Sequence, residues 1–353
     1  MKMIYRSANQ KTNIFYGKTL SSQLKETEND THMLFVTNQR YYDLFAAKIN
    51  QLFPDQTKVD WHICTNSPQC NQLSELENLL GFTKKFPEKE EYLIVGFGNE
   101  GIMDLAAFFQ KNSPLTSKLW LIPVSIRSMG RSLIEKRAIL QMNQPIMQTN
   151  HYPETIFYDG TISEKQRDGK PVDFLTFIRC GIVCDYSFLQ MLYKNYPAKE
   201  NIMSRPLTGM LEKMIRFYEE SNENLNNYGK LFEQAFYMTE NGHLLSYNMK
   251  QFLGMVFHLL WSMEAAPFSF KEKNFLWWLG KLGYPIGWAD QISSAEYLQN
   301  VLFLAERSKT ILVLEKIGII KGYQTPTENE LLQMMANYQN IVREIRGKND
   351  GNI

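Results

Sequence analysis

Short apolar runs alternate with stretches of helical period through the first half of the chain, and this alternation restricts the fold more than any other feature. "HMLFVTN" (His32–Asn38) ends in turn residues and is followed by "YYDLFAAKINQLF" (Tyr41–Phe53), whose apolar positions recur at helical spacing. "VDWHIC" (Val59–Cys64) precedes the helix-like "QLSELENLLGFTKKF", "EYLIVGFG" precedes "GIMDLAAFFQ", and "KLWLIPVS" (Lys118–Ser125) is a fourth strand. "ETIFYDG" (Glu154–Gly160) reads as one more. Strands separated by helices of this length pair in parallel, and a parallel sheet needs helices on both faces. The expectation is a Rossmann-like α/β domain over residues 1–165.

From about Pro171 the period is helical instead. Long stretches run over Val172–Lys194, Leu207–Glu220, Asn227–Thr239, Tyr247–Glu264 and Lys271–Leu282. A strand-like pair lies within Lys309–Gln324, and a last helix runs from Glu328 to about Arg346. Residues 166–346 are therefore expected to form a helical domain, with 347–353 a disordered tail.

Composition excludes some classes. A net charge of +1 gives no field that would draw nucleic acid or an anionic membrane. "MKMIYRSANQ" has no apolar core of a leader, and the most apolar stretch, Phe252–Ala266, is short and interrupted by His258, so it reads as a core helix. Cys64, Cys70, Cys180 and Cys184 are too few for a disulfide framework in a chain of 353 residues. They read as buried free thiols, and a cytoplasmic location is expected. Cys180 and Cys184 share a helical face, but no nearby His or Cys completes a zinc site.

The stretch "LIVGFGNEGIMDLAAFF" (Leu93–Phe109) is a buried strand, a glycine turn and the start of a helix, the form in which a nucleotide phosphate is commonly held. Glu100 stands in the middle of that turn and would repel a diphosphate. Two readings follow: a phosphate cradle, or glycines that only close a tight strand-to-helix turn.

Several stretches, in order, resemble the 3-dehydroquinate synthase family of sugar phosphate cyclases: "FVTNQRYYDLF", "IVGFGNEGIMDLAAFF", "LIPVSIRSMGRS", "YPETIFYDG", "FIRCGIVCDYSFLQML", "FLGM", "LGYPIG" and "AERSKTILVLEKIGIIKG". The resemblance implies an α/β domain followed by a helical one, with NAD and a divalent metal as cofactors, and a homodimer. The family turn GGGxxGD falls on Gly98–Asp104, where Gly98 and Asp104 are kept but Asn99, Glu100 and Met103 replace glycines. The cofactor-binding candidates on this turn are Gly98, Asn99, Gly101 and Asp104.

The family's DSSVGGKxxxN segment becomes "RSLIEKRAILQ". Arg131 stands for an acidic residue, Arg137 for a lysine and Gln141 for an asparagine, and Arg for Lys is not a neutral exchange at a packed contact. A later lysine–asparagine pair falls on Gln144 and Pro145. The metal-binding glutamate corresponds to Thr176, one histidine to Tyr247, and the other falls near Ala235. These side chains do not make a divalent site. His243 is the histidine retained as a candidate ligand, while His258 reads as a packed core residue.

What the resemblance leaves in the cleft is basic: Arg131, Arg137, Arg179, Arg307 and Lys309, beside Arg127 and Lys136. Converging, they would attract an anionic small molecule; otherwise they are solvated charges paired with their neighbours. Two functional readings result. In one, the chain is a catalytically degenerate relative, a pseudoenzyme acting as scaffold, heteromeric partner or anionic-ligand binder. In the other it is an active diverged NAD enzyme, a carbon–oxygen lyase with relocated or absent metal ligands. Exposed tryptophan at Trp277 or Trp278 would mark a protein interface.

Overall fold

The computed structural model describes residues 2–7, 10–17, 19–20, 22, 31–53, 58–87, 90–164, 169–287, 290–308 and 311–350. The chain divides into two compact units, Met1–Gly169 with Thr208–Glu220, and Lys170–Leu207 with Ser221–Ile353.

The first unit is built on a seven-stranded sheet of order β1-β2-β9-β6-β5-β3-β4. Its strands are β1 (Lys2–Ser7), β2 (Gln10–Tyr16), β3 (His32–Asn38), β4 (Val59–Cys64), β5 (Tyr92–Gly98), β6 (Ser117–Pro123) and β9 (Thr155–Tyr158). All adjacent pairs are parallel except the β1–β2 hairpin. Every residue of β3 and β5 is buried, as continuous apolar runs require when helices cover both faces. The crossovers carry α1 (Gln39–Asn50), α2 (Leu73–Thr83), α3 (Glu100–Asn112) and the short α4 (Ile126–Ser132). Because β4 lies on one side of β3 and β5 on the other, strand order reverses between β3 and β5. Open α/β sheets bind ligands at such a point, outside the carboxyl ends of the strands.

Two hairpins escape the sequence reading. β1 and β2 precede the predicted strands, and β7 (Lys136–Gln141) pairs with β8 (Gln144–Asn150) where the resemblance placed catalytic loop residues. Met142 and Asn143 both adopt positive φ, 50° and 62°, the two-residue turn that matches strand twist.

The second unit contains α6 (Lys170–Cys184), α7 (Tyr186–Asn195), α8 (Lys199–Ser204), α10 (Lys230–Met238), α11 (Tyr247–Ala265), α12 (Glu272–Lys281), α13 (Ser294–Ser308), the β10–β11 hairpin (Ile311–Lys316, Ile319–Gln324) and α14 (Glu328–Asp350). A five-residue α5 (Gly160–Glu164) closes the α/β part, and α9 (Leu211–Asn227) bends at Ser221, where φ is −139° and ψ 36°. Val172–Lys194 is two helices, because the Asp185 side chain caps a new one by accepting the Phe188 N–H at 3.1 Å. The division falls after Gly169, and residues 208–220 group with the α/β unit. The tail is also shorter than expected: α14 continues through Asp350, so 347–350 are helical, and 351–353 lie outside the described residues.

Candidate functional site

At the reversal point between β3 and β5, the chain has filled its own crevice. Asn38, the last residue of β3, turns its Oδ1 to accept the Asn99 N–H at 3.2 Å and donates through Nδ2 to the Thr65 carbonyl at 2.7 Å. Asn99 caps α3: its Oδ1 accepts the Ile102 N–H at 3.2 Å, while its Nδ2 donates to the Ser67 carbonyl at 2.9 Å. The Gly101 N–H donates to the Pro68 carbonyl at 3.0 Å. A helix start grips phosphate with N–H groups that have no partner inside the helix. Here those of Asn99, Gly101 and Ile102 are already engaged.

The glycines are kept for packing. A Cβ on Gly98 would stand 2.6 Å from Asn38 Oδ1 and 2.7 Å from the Ile102 side chain. One on Gly101 would stand 2.6 Å from Cys70 N and 2.8 Å from its Sγ. Segment 65–70 therefore lies against the turn where a diphosphate would approach. Glu100 is buried, and Arg127 Nη1 approaches its Oε1 at 3.3 Å, an ion pair without hydrogen-bond alignment.

One turn into α3, Asp104 holds two of the candidate arginines. Arg131 Nε donates to Asp104 Oδ1 at 2.7 Å, and Arg137 Nη1 lies 3.7 Å from the same oxygen. Arg137 is fully buried on β7 and donates to the carbonyls of Arg131, Ser132 and His151. Burial pulls its guanidinium down to about 10, with Asp104 opposing that shift. Arg131 also donates to the Lys136 carbonyl at 2.6 Å. An anion arriving here would compete with Asp104 and a set of backbone carbonyls. His151, beside this cluster, is pushed down to about 4 by burial and then by Arg137 and Lys111.

In the helical unit, the positions matched to metal ligands carry other chemistry. Thr176 is buried on α6, Ala235 is an apolar core residue of α10, and the Tyr247 hydroxyl accepts from Gln251 Nε2 at 2.8 Å. The same three helices carry Arg179 (α6), Glu233 (α10) and Lys250 (α11), with both cations close enough to act on the Glu233 carboxyl. Burial raises the half-buried Glu233 to about 7, against the opposing pull of Arg179, Lys230 and Lys250. Lys250 is buried, its ammonium 4.3 Å from the Tyr237 ring centroid, and its pKa is lowered by desolvation. A divalent cation needs anionic or neutral donors, and this set brings cations with one carboxylate. The residues do not fit the metal that the resemblance implies. At the glycine turn, three of the N–H groups that would face an NAD pyrophosphate, those of Asn99, Gly101 and Ile102, already have partners.

The histidine expectations divide. His258 is fully buried in α11: its Nδ1 accepts the Gly229 N–H at 2.8 Å, so Nε2 carries the proton and donates to the Leu312 carbonyl at 2.6 Å. That pairing suits the neutral ring, and burial lowers the pKa to about 4. His243 sits exposed in the Gly242–Leu244 turn and is not part of the only grouping of possible metal-holding side chains among the described residues. That grouping is His62, Cys64 and Glu75, in the α/β unit. Reasoning from sequence missed it; His62 and Cys64, two apart on β4, share one face, which was the available signal. Arg307 is exposed over the Phe303 ring at 4.3 Å, and Lys309 lies outside the described residues. Trp278 is buried and donates to the Tyr196 carbonyl, whereas Trp277 is 42% exposed. All four cysteines are reduced thiols; Cys184 is half-buried and the others are buried.

The chain is similar over nearly its whole length to curated 3-dehydroquinate synthases. That of Listeria welshimeri is 21% identical over 337 residues, covering 89% of this chain and 88% of the relative. That of Listeria innocua is 22% identical over 343 residues with the same coverage. The likeness to that family is distant in sequence and extends over nearly the whole chain. No family model matches the chain. Among solved structures, 2-deoxy-scyllo-inosose synthase complexed with carbaglucose-6-phosphate, NAD+ and Co2+ shares the fold at TM-score 0.75 and 14% identity, covering 97% of this chain and 99% of that one. The 2-epi-5-epi-valiolone synthase of Streptomyces hygroscopicus, with NAD+ and Zn2+ bound, superposes at TM-score 0.78 and 11% identity, covering 96% and 99%. Among the described residues no helix is long and apolar enough to cross a membrane.

Proposed function

We propose that this distant relative of the 3-dehydroquinate synthases is non-catalytic and serves as a binding or partner protein. The observation that carries the reading is the self-filled turn: Asn38 and Pro68 take the Asn99 and Gly101 N–H groups, and Asn99 caps Ile102. Cyclase chemistry needs a transient hydroxyl oxidation by NAD, with metal polarising the oxygens. Neither cofactor has a fitting donor set here. A homodimer is the assembly the resemblance implies, and half-exposed Trp277, with Lys281 Nζ 3.5 Å from its ring centroid, suits a protein partner. Any small ligand retained is anionic, and the protein works in the cytoplasm.

The test is calorimetric titration with NAD, alone and with a sugar phosphate present. No saturable heat at millimolar NAD is expected, and no turnover. Stoichiometric NAD binding accompanied by release of inorganic phosphate would overturn the reading.

One observation favours the second reading, a diverged enzyme without the family metal. Glu233, near 7 beside Arg179 and Lys250, has the poise of a general acid or base at neutral pH. Turnover that disappears in Glu233→Gln, in a protein still folded, would establish it.

A further inference from the structure

The edge strand β4 and helix α2 bring three unlike metal-binding side chains together under cover. His62 and Cys64 project from the same face of β4, and Glu75 lies in the first turn of α2. All three are buried, at 8%, 2% and 9% exposure, and a ligand atom of each lies within 4.8 Å of the other two. The His62 Nε2 is buried with no hydrogen-bond partner. A buried imidazole nitrogen without a partner is costly, and a native structure seldom leaves one without reason.

From this juxtaposition of His62, Cys64 and Glu75 we infer a site for a divalent transition ion of the zinc class, structural in character and separate from the family's metal position. Nitrogen, thiolate and carboxylate together suit a borderline-soft ion and exclude calcium or magnesium, which take oxygen. In a tetrahedral site with ordinary zinc bond lengths, the ligand atoms stand about 3.3–3.8 Å apart. The trio therefore needs to close inward by about 1.5 Å at most from the observed 4.8 Å limit. Glu75 is already oriented, because its Oε1 accepts the Thr65 N–H at 3.1 Å. Such second contacts fix the direction of a ligating group. On loading, the Cys64 thiol gives its proton to solvent and binds as thiolate, the neutral His62 ring contributes a lone pair, and Glu75 contributes its carboxylate. No electron changes hands.

The ion would join the sheet's last strand to α2 across the segment that covers the glycine turn. Thr65 belongs to that segment, and its carbonyl accepts from Asn38. Cys70, also in it, lies close enough to Cys64 to oppose ionisation of its thiol. This inference does not depend on whether the protein is catalytic.

The experiment strips the full chain with a chelator and titrates it with Co2+ and then Zn2+. One equivalent is expected, with release of one proton and a thiolate-to-cobalt charge-transfer band in the near ultraviolet. Cys64→Ser should remove the band, and His62→Gln should weaken binding by more than about 100-fold, since loss of even an outer-shell partner costs 10–100-fold. Where a variant fails to fold, peptide mapping of the unaltered protein replaces it: zinc should protect Cys64 from alkylation while leaving Cys184 unchanged. No binding by folded protein at micromolar zinc overturns the proposal. Binding undiminished by Cys64→Ser and His62→Gln, or zinc that leaves Cys64 alkylation unchanged, does so equally.

Discussion

The glycine turn of the α/β unit and the polar positions of the helical unit differ in what holds them. At the turn it is packing and backbone hydrogen bonding: a side chain at Gly98 or Gly101 would strike Asn38, Ile102 or Cys70, and the Asn99 and Gly101 N–H groups are bound to Asn38 and Pro68. On the helices that carry Thr176, Ala235 and Tyr247 it is charge, with the cations Arg179 and Lys250 bearing on one carboxylate, Glu233. Packing fixes a backbone against exchange of its glycines, whereas a charge cluster rests on the balance between burial and its neighbours.

The sharpest way to break this comparison is at Asp104. If it now serves only to hold Arg131 and Arg137, Asp104→Ala leaves a fully buried guanidinium without its carboxylate and should cost about 3–5 kcal/mol in urea unfolding. A loss near zero would mean that Asp104 is kept for a ligand.

The next effect is on the pH dependence of the helical unit. His258 titrates near 4 when folded, against an ordinary value of 6.5, so between these values the unfolded chain binds the proton and the native state does not. Stability contributed by the neutral ring is full above 6.5 and lost as pH falls towards 4, by about 3 kcal/mol at 1.4 kcal/mol per unit. Glu233 acts oppositely. Its folded value near 7 exceeds the ordinary 4.5, so its contribution is full below 4.5 and lost as pH rises through 7. The slopes oppose each other between 4.5 and 6.5. Chemical denaturation across pH should show a shallow wild-type profile there, steepened in Glu233→Gln and reversed in sign in His258→Gln. The α/β unit has His151 near 4 and, among its described residues, no carboxyl raised as Glu233 is, so acid should unfold it first.

A smaller effect sharpens the account of the turn. Gly101→Ala forces Cys70 and Pro68 aside and should cost about 1–3 kcal/mol, the usual range for overpacking. A neutral result would show segment 65–70 to be displaceable, and a diphosphate admissible.

The order of strands and helices was legible because apolar runs and helical periods each need only neighbours in sequence. The hairpins β1–β2 and β7–β8 were not, since their strands are partly exposed and show no long apolar run. Arg137 is the plainest case: a charged residue reads as solvated, and only the carbonyls of residues 131, 132 and 151, with Asp104 from another helix, make it a core residue. Glu100 was legible as a carboxylate in the turn, but the sequence could not show Arg127 pairing with it, nor Asn38 and Pro68 arriving from elsewhere to take the neighbouring N–H groups. The His62–Cys64 pair was visible as same-face alternation; Glu75 was not, because its approach depends on how α2 lies on β4.

The return of residues 208–220 to the α/β unit has a consequence for biosynthesis. The Tyr5 hydroxyl donates to the Tyr218 carbonyl at 3.0 Å, and the Arg6 N–H to Glu219, so the first strand waits for a segment more than 200 residues behind it. Nascent chains commonly fold their amino-terminal domain while the rest is still being translated. This one must hold its opening hairpin unfinished on the ribosome until the start of the second unit has already emerged.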